Sequence, residues 1–127
     1  MKTPLFYEHE KLHAKMVDFH GWEMPVWYTG IREEHLATRR SAGLFDTSHM
    51  GEIFVGGVES LPYLEKVLTR NVASMKLGGA MYTFLLNESG GIIDDLIEYC
   101  LDPGKSYMLC VNSSNKDKDY AWMCEQN

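Results

Sequence analysis

The residues best placed to do chemistry lie in one stretch, Asn87-Glu88-Ser89-Gly90-Gly91-Ile92-Ile93-Asp94-Asp95-Leu96-Ile97-Glu98-Tyr99. Asp94 and Asp95 interrupt an otherwise apolar strand. Neighbours on a strand point to opposite faces, so one of the two carboxylates has to face inward. If it is Asp95, its face also carries Ile93, Ile97 and Tyr99. A carboxylate there must be paired or hydrogen-bonded to offset its desolvation. A bond to a nearby backbone group or tyrosine meets that need with no catalytic role.

A second polar cluster, Leu44-Phe45-Asp46-Thr47-Ser48-His49-Met50-Gly51-Glu52, holds the residue types of a nucleophilic triad. Asp46, Ser48 and His49 are too close in sequence to converge as nucleophile, base and orienter, so a turn with local hydrogen bonds is expected. His9 and His13 have the spacing of a metal pair on a helix, but no third ligand or supporting shell is evident. Ordinary exposed helix histidines are expected instead, and His20 and His35 have no evident partner. The rings of Trp22, Trp27 and Tyr28 either pack a loop onto the core or form a wall for a flat ligand or partner. Cys100, Cys110 and Cys124 lack C-x-x-C spacing, which argues against a disulfide framework or a thiolate zinc site.

These groups sit in an ordinary globular composition, with 127 residues, 45% hydrophobic and 24% charged, long enough for one real core. A formal charge of −6 with scattered cations argues against nucleic acid, whose phosphates need clustered Lys and Arg. No apolar run approaches the roughly 20 residues that cross a bilayer. The start, from Met1 to Glu8, has neither a secretory nor a transit character, so a cytoplasmic location is expected.

Thr3-Pro4 predicts a helix start, with a cap and a first-turn proline, and a short helix to about Leu12. Residues 16–19 read as a short strand and 21–25 as an ordered loop. A helix from Ile31 to about Ala42, stopped by Gly43, places Glu33 and Glu34 early and Arg39 and Arg40 late, as the helix dipole prefers. A strand over 51–55 and a helix capped by Ser60, with Leu61, Leu64, Val67 and Leu68 on one face, come next. A hairpin over 81–101 turning at 87–91, a strand over 107–111 and a last helix capped within 112–115 complete the series. The expected fold is α+β, an antiparallel sheet with helices packed on one face. Segment 1–50 shows no obvious sheet of its own and is expected to belong to a domain completed beyond residue 127, with 51–127 as the antiparallel-sheet subdomain.

Several of these segments together resemble one family. They are 15–25 (Lys15 to Pro25), 42–52 (Ala42 to Glu52), 82–87 (Tyr82 to Asn87), 90–96 (Gly90 to Leu96) and 111–117 (Val111 to Asp117). They occur in the order found in the T-protein, the aminomethyltransferase of the glycine cleavage system, and span almost the whole chain. The resemblance implies transfer of a one-carbon unit from the aminomethyl-lipoyl arm of the H-protein to tetrahydrofolate, with release of ammonia. It places the key carboxylate on Asp95, Tyr82 and Tyr99 against the pterin, and Met50 and Asn112 along the pocket, with no metal. Such a carboxylate, preorganised in a dry pocket, would stabilise positive charge on the migrating carbon and accept a proton.

The family's chains are roughly three times longer, so the expectation is a fragment, inactive alone. Three alternatives remain open. Folate-dependent demethylases of the same fold use a small methylated donor, some folate-binding relatives assist iron–sulfur protein maturation, and the segment from Trp22 to Tyr28 would suit a plain interaction module.

Overall fold

Turn chemistry sets most element boundaries in the computed structural model, which describes residues 1–127 as two units, Met1–His49 and Met50–Asn127. In the first unit, helix α1 spans Phe6–Lys11. It begins later than its proline suggests, because Leu5 takes the cap position and the Phe6 N–H donates to the Thr3 carbonyl at 3.1 Å. Strands β1 (Lys15–Phe19) and β2 (Trp22–Trp27) pair antiparallel. The segment 21–25 is therefore mostly strand rather than the expected loop, and the first unit does carry a small sheet.

The two-residue turn that makes this hairpin explains the misreading. His20 and Gly21 both adopt positive φ, 52° and 85°, the backbone that matches strand twist. Histidine is an unusual residue for that position. Pro25 is tolerated because a two-stranded ribbon has only edges.

Helix α2 spans Ile31–Arg40 and ends at Ser41, short of Gly43. From its first turn Glu34 reaches back to the segment that leads into the helix. Glu34 Oε1 accepts from the N–H groups of Thr29 and Tyr28, both at 2.6 Å, and Gly30, at 3.1 Å. These backbone bonds hold the Glu34 carboxyl below its ordinary range.

The second unit is built on β3 (Gly51–Gly56), β4 (Ala80–Leu86), β5 (Ile92–Asp102) and β6 (Ser106–Val111). They form one antiparallel sheet in the order β3-β6-β5-β4. Helices α3 (Ser60–Val67) and α4 (Lys116–Gln126) cover one face. Their Leu64, Val67 and Met123 join Leu85, Leu96, Cys100, Leu109 and Val111 in the core. The α+β architecture is the expected one.

Two local details differ. Ser60 is the first residue of α3 rather than its cap, and its hydroxyl is buried without a partner. Asn115 occupies the cap position of α4, but its side chain bonds elsewhere. Gly51 admits no side chain, because a Cβ there would lie 2.7 Å from that of Lys116 and 2.8 Å from Val111 Cγ2. The 87–91 turn is closed by Asn87, whose Oδ1 accepts from the N–H groups of Gly91 (2.8 Å) and Ser89 (3.1 Å). No helix is long and apolar enough to cross a membrane.

The alternation along β5 answers which aspartate faces inward. Asp94, Leu96, Glu98 and Cys100 are buried against the helices, whereas Asp95 and Ile97 are exposed and Ile93 and Tyr99 half-buried on the open face. Asp95 does share its face with Ile93, Ile97 and Tyr99, but that face is the outer one.

Candidate functional site

On the outer face, registry brings three of the named residues together. Tyr82 lies opposite Ile97, and Phe84 lies opposite Asp95, so Tyr82 is a diagonal neighbour of Asp95 on the same face. Its hydroxyl donates to Asp95 Oδ2 at 3.1 Å. From the end of β6, Asn112 Nδ2 donates to the Asp95 carbonyl at 2.9 Å and reaches Asp95 Oδ1 at 3.4 Å. Asp95 is open to solvent here. The bond to Asp95, burial and the two carboxylate charges together push the Tyr82 phenol above its ordinary range. The Tyr82 ring meets Phe84 edge to face at 5.4 Å. A carboxylate acceptor, an amide and an aromatic wall on one surface suit a flat ligand that carries N–H groups.

Tyr99 and Met50 are less closely gathered. Tyr99 lies four residues along β5 from Asp95, about 13 Å at strand rise, and pairs with Ala80 and Met108. Met50 is half-buried and precedes Gly51, which faces Val111, so it lies near the Asn112 end of the sheet. Beside Tyr82 opens a groove of about 550 Å³ bordered by Arg70, Ser74, Lys76 and Gly79. It brings two cations next to the aromatic wall.

Directly beneath Asp95 is a buried polar layer that the sequence reading did not anticipate. Asp94 Oδ1 accepts from Asn115 Nδ2 at 2.7 Å and Asn112 Nδ2 at 3.0 Å, and Oδ2 from the Asn112 N–H at 3.2 Å. Burial raises the Asp94 carboxyl, but the bonds from Asn112, Asp119 and Asn115 outweigh it and hold it below its ordinary range. Asp119 on α4 is fully buried within hydrogen-bonding reach of Asp94, and no N–H or hydroxyl donor reaches it. Burial, followed by the bond and charge of Asp94, pushes its carboxyl up to about 7. Further along the inner face, Glu98 is fully buried with neither oxygen partnered, and burial together with the charge of Glu65 pushes it up to about 7. Helical spacing of Asp119 and strand parity at Glu98 were the signals available, but both depend on knowing which face is inside.

In the first unit, the histidine pair does not act as a pair. His13 lies outside α1 at φ 56°, whereas His9 is buried, with Nε2 2.8 Å from Asp46 Oδ2 and Nδ1 2.8 Å from the Tyr28 hydroxyl. The expectation of an exposed helix histidine fails for His9, because Asp46 and Tyr28, distant in sequence, both converge on it. Burial raises the Asp46 carboxyl, but the bonds from His9 and Ser48 hold it well below the usual carboxylate range. The expected local turn is present as well, with the Ser48 N–H donating to Asp46 Oδ1 at 2.9 Å. Replacing His9→Leu removes the imidazole partner of the Tyr28 hydroxyl and of Asp46 Oδ2, while Asp46 Oδ1 keeps its bond from Ser48. Amide exchange in α1 is therefore expected to quicken on the order of 10- to 100-fold. Unchanged protection would mean that the His9 bonds contribute nothing to local stability. No group of three or more His, Cys, Asp or Glu side chains is arranged to hold a metal ion, and the three cysteines are free.

With this geometry in hand, comparisons place the chain among known proteins. The model of the GCVT N-terminal domain matches residues 5–127. The aminomethyltransferase of Bdellovibrio bacteriovorus is 54% identical over 126 residues, covering 99% of this chain and 35% of the relative. That of Halothermothrix orenii is 53% identical over 122 residues, covering 96% and 34%. The crystal structure of glycine cleavage system aminomethyltransferase T from Bartonella henselae superposes with a TM-score of 0.90 at 42% identity, covering 99% of this chain and 35% of that one. The chain thus spans about a third of the length of the curated relatives it matches.

Proposed function

This chain belongs to the aminomethyltransferase family through its GCVT amino-terminal domain, and from that premise we propose that it presents Asp95 to a one-carbon transfer onto tetrahydrofolate. The donor is the aminomethyl group on the lipoyl arm of the H-protein. Tetrahydrofolate supplies two N–H groups that take up the carbon as a methylene bridge. Their protons leave on the released ammonia and on the freed lipoyl thiol, so the atoms balance.

The observation that carries this reading is the Tyr82–Asp95–Asn112 cluster on the open sheet face. Asp95 is the catalytic residue, and its carboxylate stabilises positive charge on the migrating carbon and accepts an amine proton. Asn112 orients it through the main-chain carbonyl and the carboxylate. Tyr82 offers a ring for the pterin and holds the other carboxylate oxygen. Tyr99 extends the wall along β5, and Met50 lines the Asn112 end. Arg70 and Lys76, in the groove beside Tyr82, offer charge to the carboxylates at the other end of the folate.

Asp95 is exposed on this chain, and exclusion of water strengthens every charge interaction in such a site. The cover belongs to the part of the relatives that this chain does not span. On the same reading, segment 1–50 belongs to a domain whose remaining strands lie in that part. Titration calorimetry of the 127-residue chain with tetrahydrofolate is therefore expected to show weak binding, and an ammonia-release assay with aminomethyl-loaded H-protein negligible turnover. Robust turnover by this chain would sink the idea that the site needs further cover. In a protein of the relatives' full length, ammonia release from loaded H-protein supports the transferase. Turnover only with a small methylated donor would replace it by a demethylase.

A further inference from the structure

We infer that Asp119 is a positioning residue for the Asp95 cluster: it shares a proton with Asp94, and the pair fixes the two asparagines, one of which grips Asp95. The inference rests on the reading that Asp95 is the reacting group, and deepens it.

The geometry leaves one consistent arrangement. Asp94 is surrounded by donors, with three hydrogen bonds from Asn112 and Asn115. Asp119 is fully buried, and neither of its oxygens meets an N–H or hydroxyl donor. Two carboxylates buried within hydrogen-bonding reach cannot both be charged at modest cost. A single proton between them satisfies both, and the donor-rich member is the one that stays ionised. Asp119 therefore carries the proton and donates it to Asp94.

The charged neighbours agree with this. Asp94 from β5 opposes ionisation of Asp119, and Lys118 beside it on α4 favours it, but the Lys118 ammonium is directed to the Ile93 carbonyl at 2.8 Å. The connection from β6 to α4 presents only the amides of Asn112 and Asn115 to Asp94. From β3, uncharged Gly51 lies against α4 at Lys116, and Glu65 of α3 acts on Glu98. Asn112 is the link outward. Its Nδ2 holds Asp94 Oδ1 at 3.0 Å on the inner side and the Asp95 carbonyl at 2.9 Å on the other. Ionising Asp119 would set a second negative charge against Asp94 and loosen this grip.

The test is NMR on the intact chain, following carboxyl-labelled aspartates and the Asn112 side-chain amide from pH 4 to 9, with Asp119→Asn and Asp119→Leu alongside. Asp119 is expected to titrate at about 7, with the Asn112 amide moving in step. Asp119→Asn keeps a neutral donor, so it should hold the Asn112 amide at its acidic position throughout and bind tetrahydrofolate within about twofold of the parent at pH 6. Asp119→Leu should displace that amide and weaken binding about tenfold. If the leucine variant does not fold, the asparagine variant decides alone. A carboxyl titrating near the ordinary ~4, or an Asn112 amide indifferent to it, overturns the inference. Absence of any tetrahydrofolate binding by the parent chain instead removes the folate reading, while the carboxyl and amide titrations still decide the role of Asp119.

Discussion

Replacing Asp95→Asn in a protein of the relatives' full length is expected to lower one-carbon transfer by about 100- to 1,000-fold, the usual cost of removing a group aimed at developing charge. Asparagine preserves shape, and its oxygen can still accept from the Tyr82 hydroxyl, which here lies 3.1 Å from Asp95 Oδ2. What it loses is the negative charge that opposes the positive charge on the migrating carbon. The loss should therefore fall on kcat far more than on affinity for tetrahydrofolate, the signature of an interaction made mainly in the transition state. The rate of ammonia release from aminomethyl-loaded H-protein is the measurement. A rate within twofold of the parent would remove Asp95 from the mechanism. Asp94→Asn provides the contrast. Its side chain is buried beneath the site and bonded to Asn112 and Asn115, so it should act through folding and positioning rather than through charge at the reacting carbon.

Glu98→Leu is expected to stabilise the chain by roughly 2–3 kcal/mol at pH 8 and by much less at pH 5. Glu98 is fully buried between Leu96 and Cys100 on the inner face, with no partner for either oxygen. Burial and the charge of Glu65 raise its carboxyl from 4.5 to about 7. A carboxyl raised in the folded state binds more protons folded than unfolded, so its contribution is full below the unfolded value. That contribution is lost as pH climbs from about 4.5 through about 7. Leucine has no charge to bury, and its side chain suits the surrounding core. Urea unfolding of parent and variant at the two pH values measures the difference directly. The same gain at both values would show that ionisation of Glu98 is not what costs stability. Asp119 adds a slope of the same sign to both proteins, so it cancels in the comparison.

Much of each unit was legible in local patterns. The run from Asn87 to Tyr99 announced a hairpin, and Asn87 closes its turn. The cluster from Asp46 to His49 announced a turn, and Asp46 accepts from Ser48 within it. The first hairpin was missed because His20 takes a left-handed conformation that favours glycine or asparagine. The bonds of His9 were missed because its partners, Tyr28 and Asp46, lie 19 and 37 residues away. Nothing in a four-residue histidine spacing reports such distant groups.

The sequence by itself determined the order of the four strands and two α-helices in the second unit, the antiparallel α+β layout, and the resemblance that singles out Asp95, but not the short 3-10 helix Val72–Ser74. Those features rest on turn residues and periodicities that act over a few positions. Only the tertiary structure decided which side of β5 is the inside. Ile93, Ile97 and Tyr99 share one face with Asp95, whereas Leu96 and Cys100 share the other with Asp94 and Glu98, so the local pattern taken alone favours burying the face that is in fact open. The choice is made by α3 and α4, whose Leu64, Val67 and Met123 bury Leu96 and Cys100 from positions far along the chain. Because side chains alternate with a period of two, that one choice settles the whole strand. It leaves Asp95 and Tyr82 open to a ligand, and it places Asp94, Glu98 and Asp119 where desolvation governs their protons.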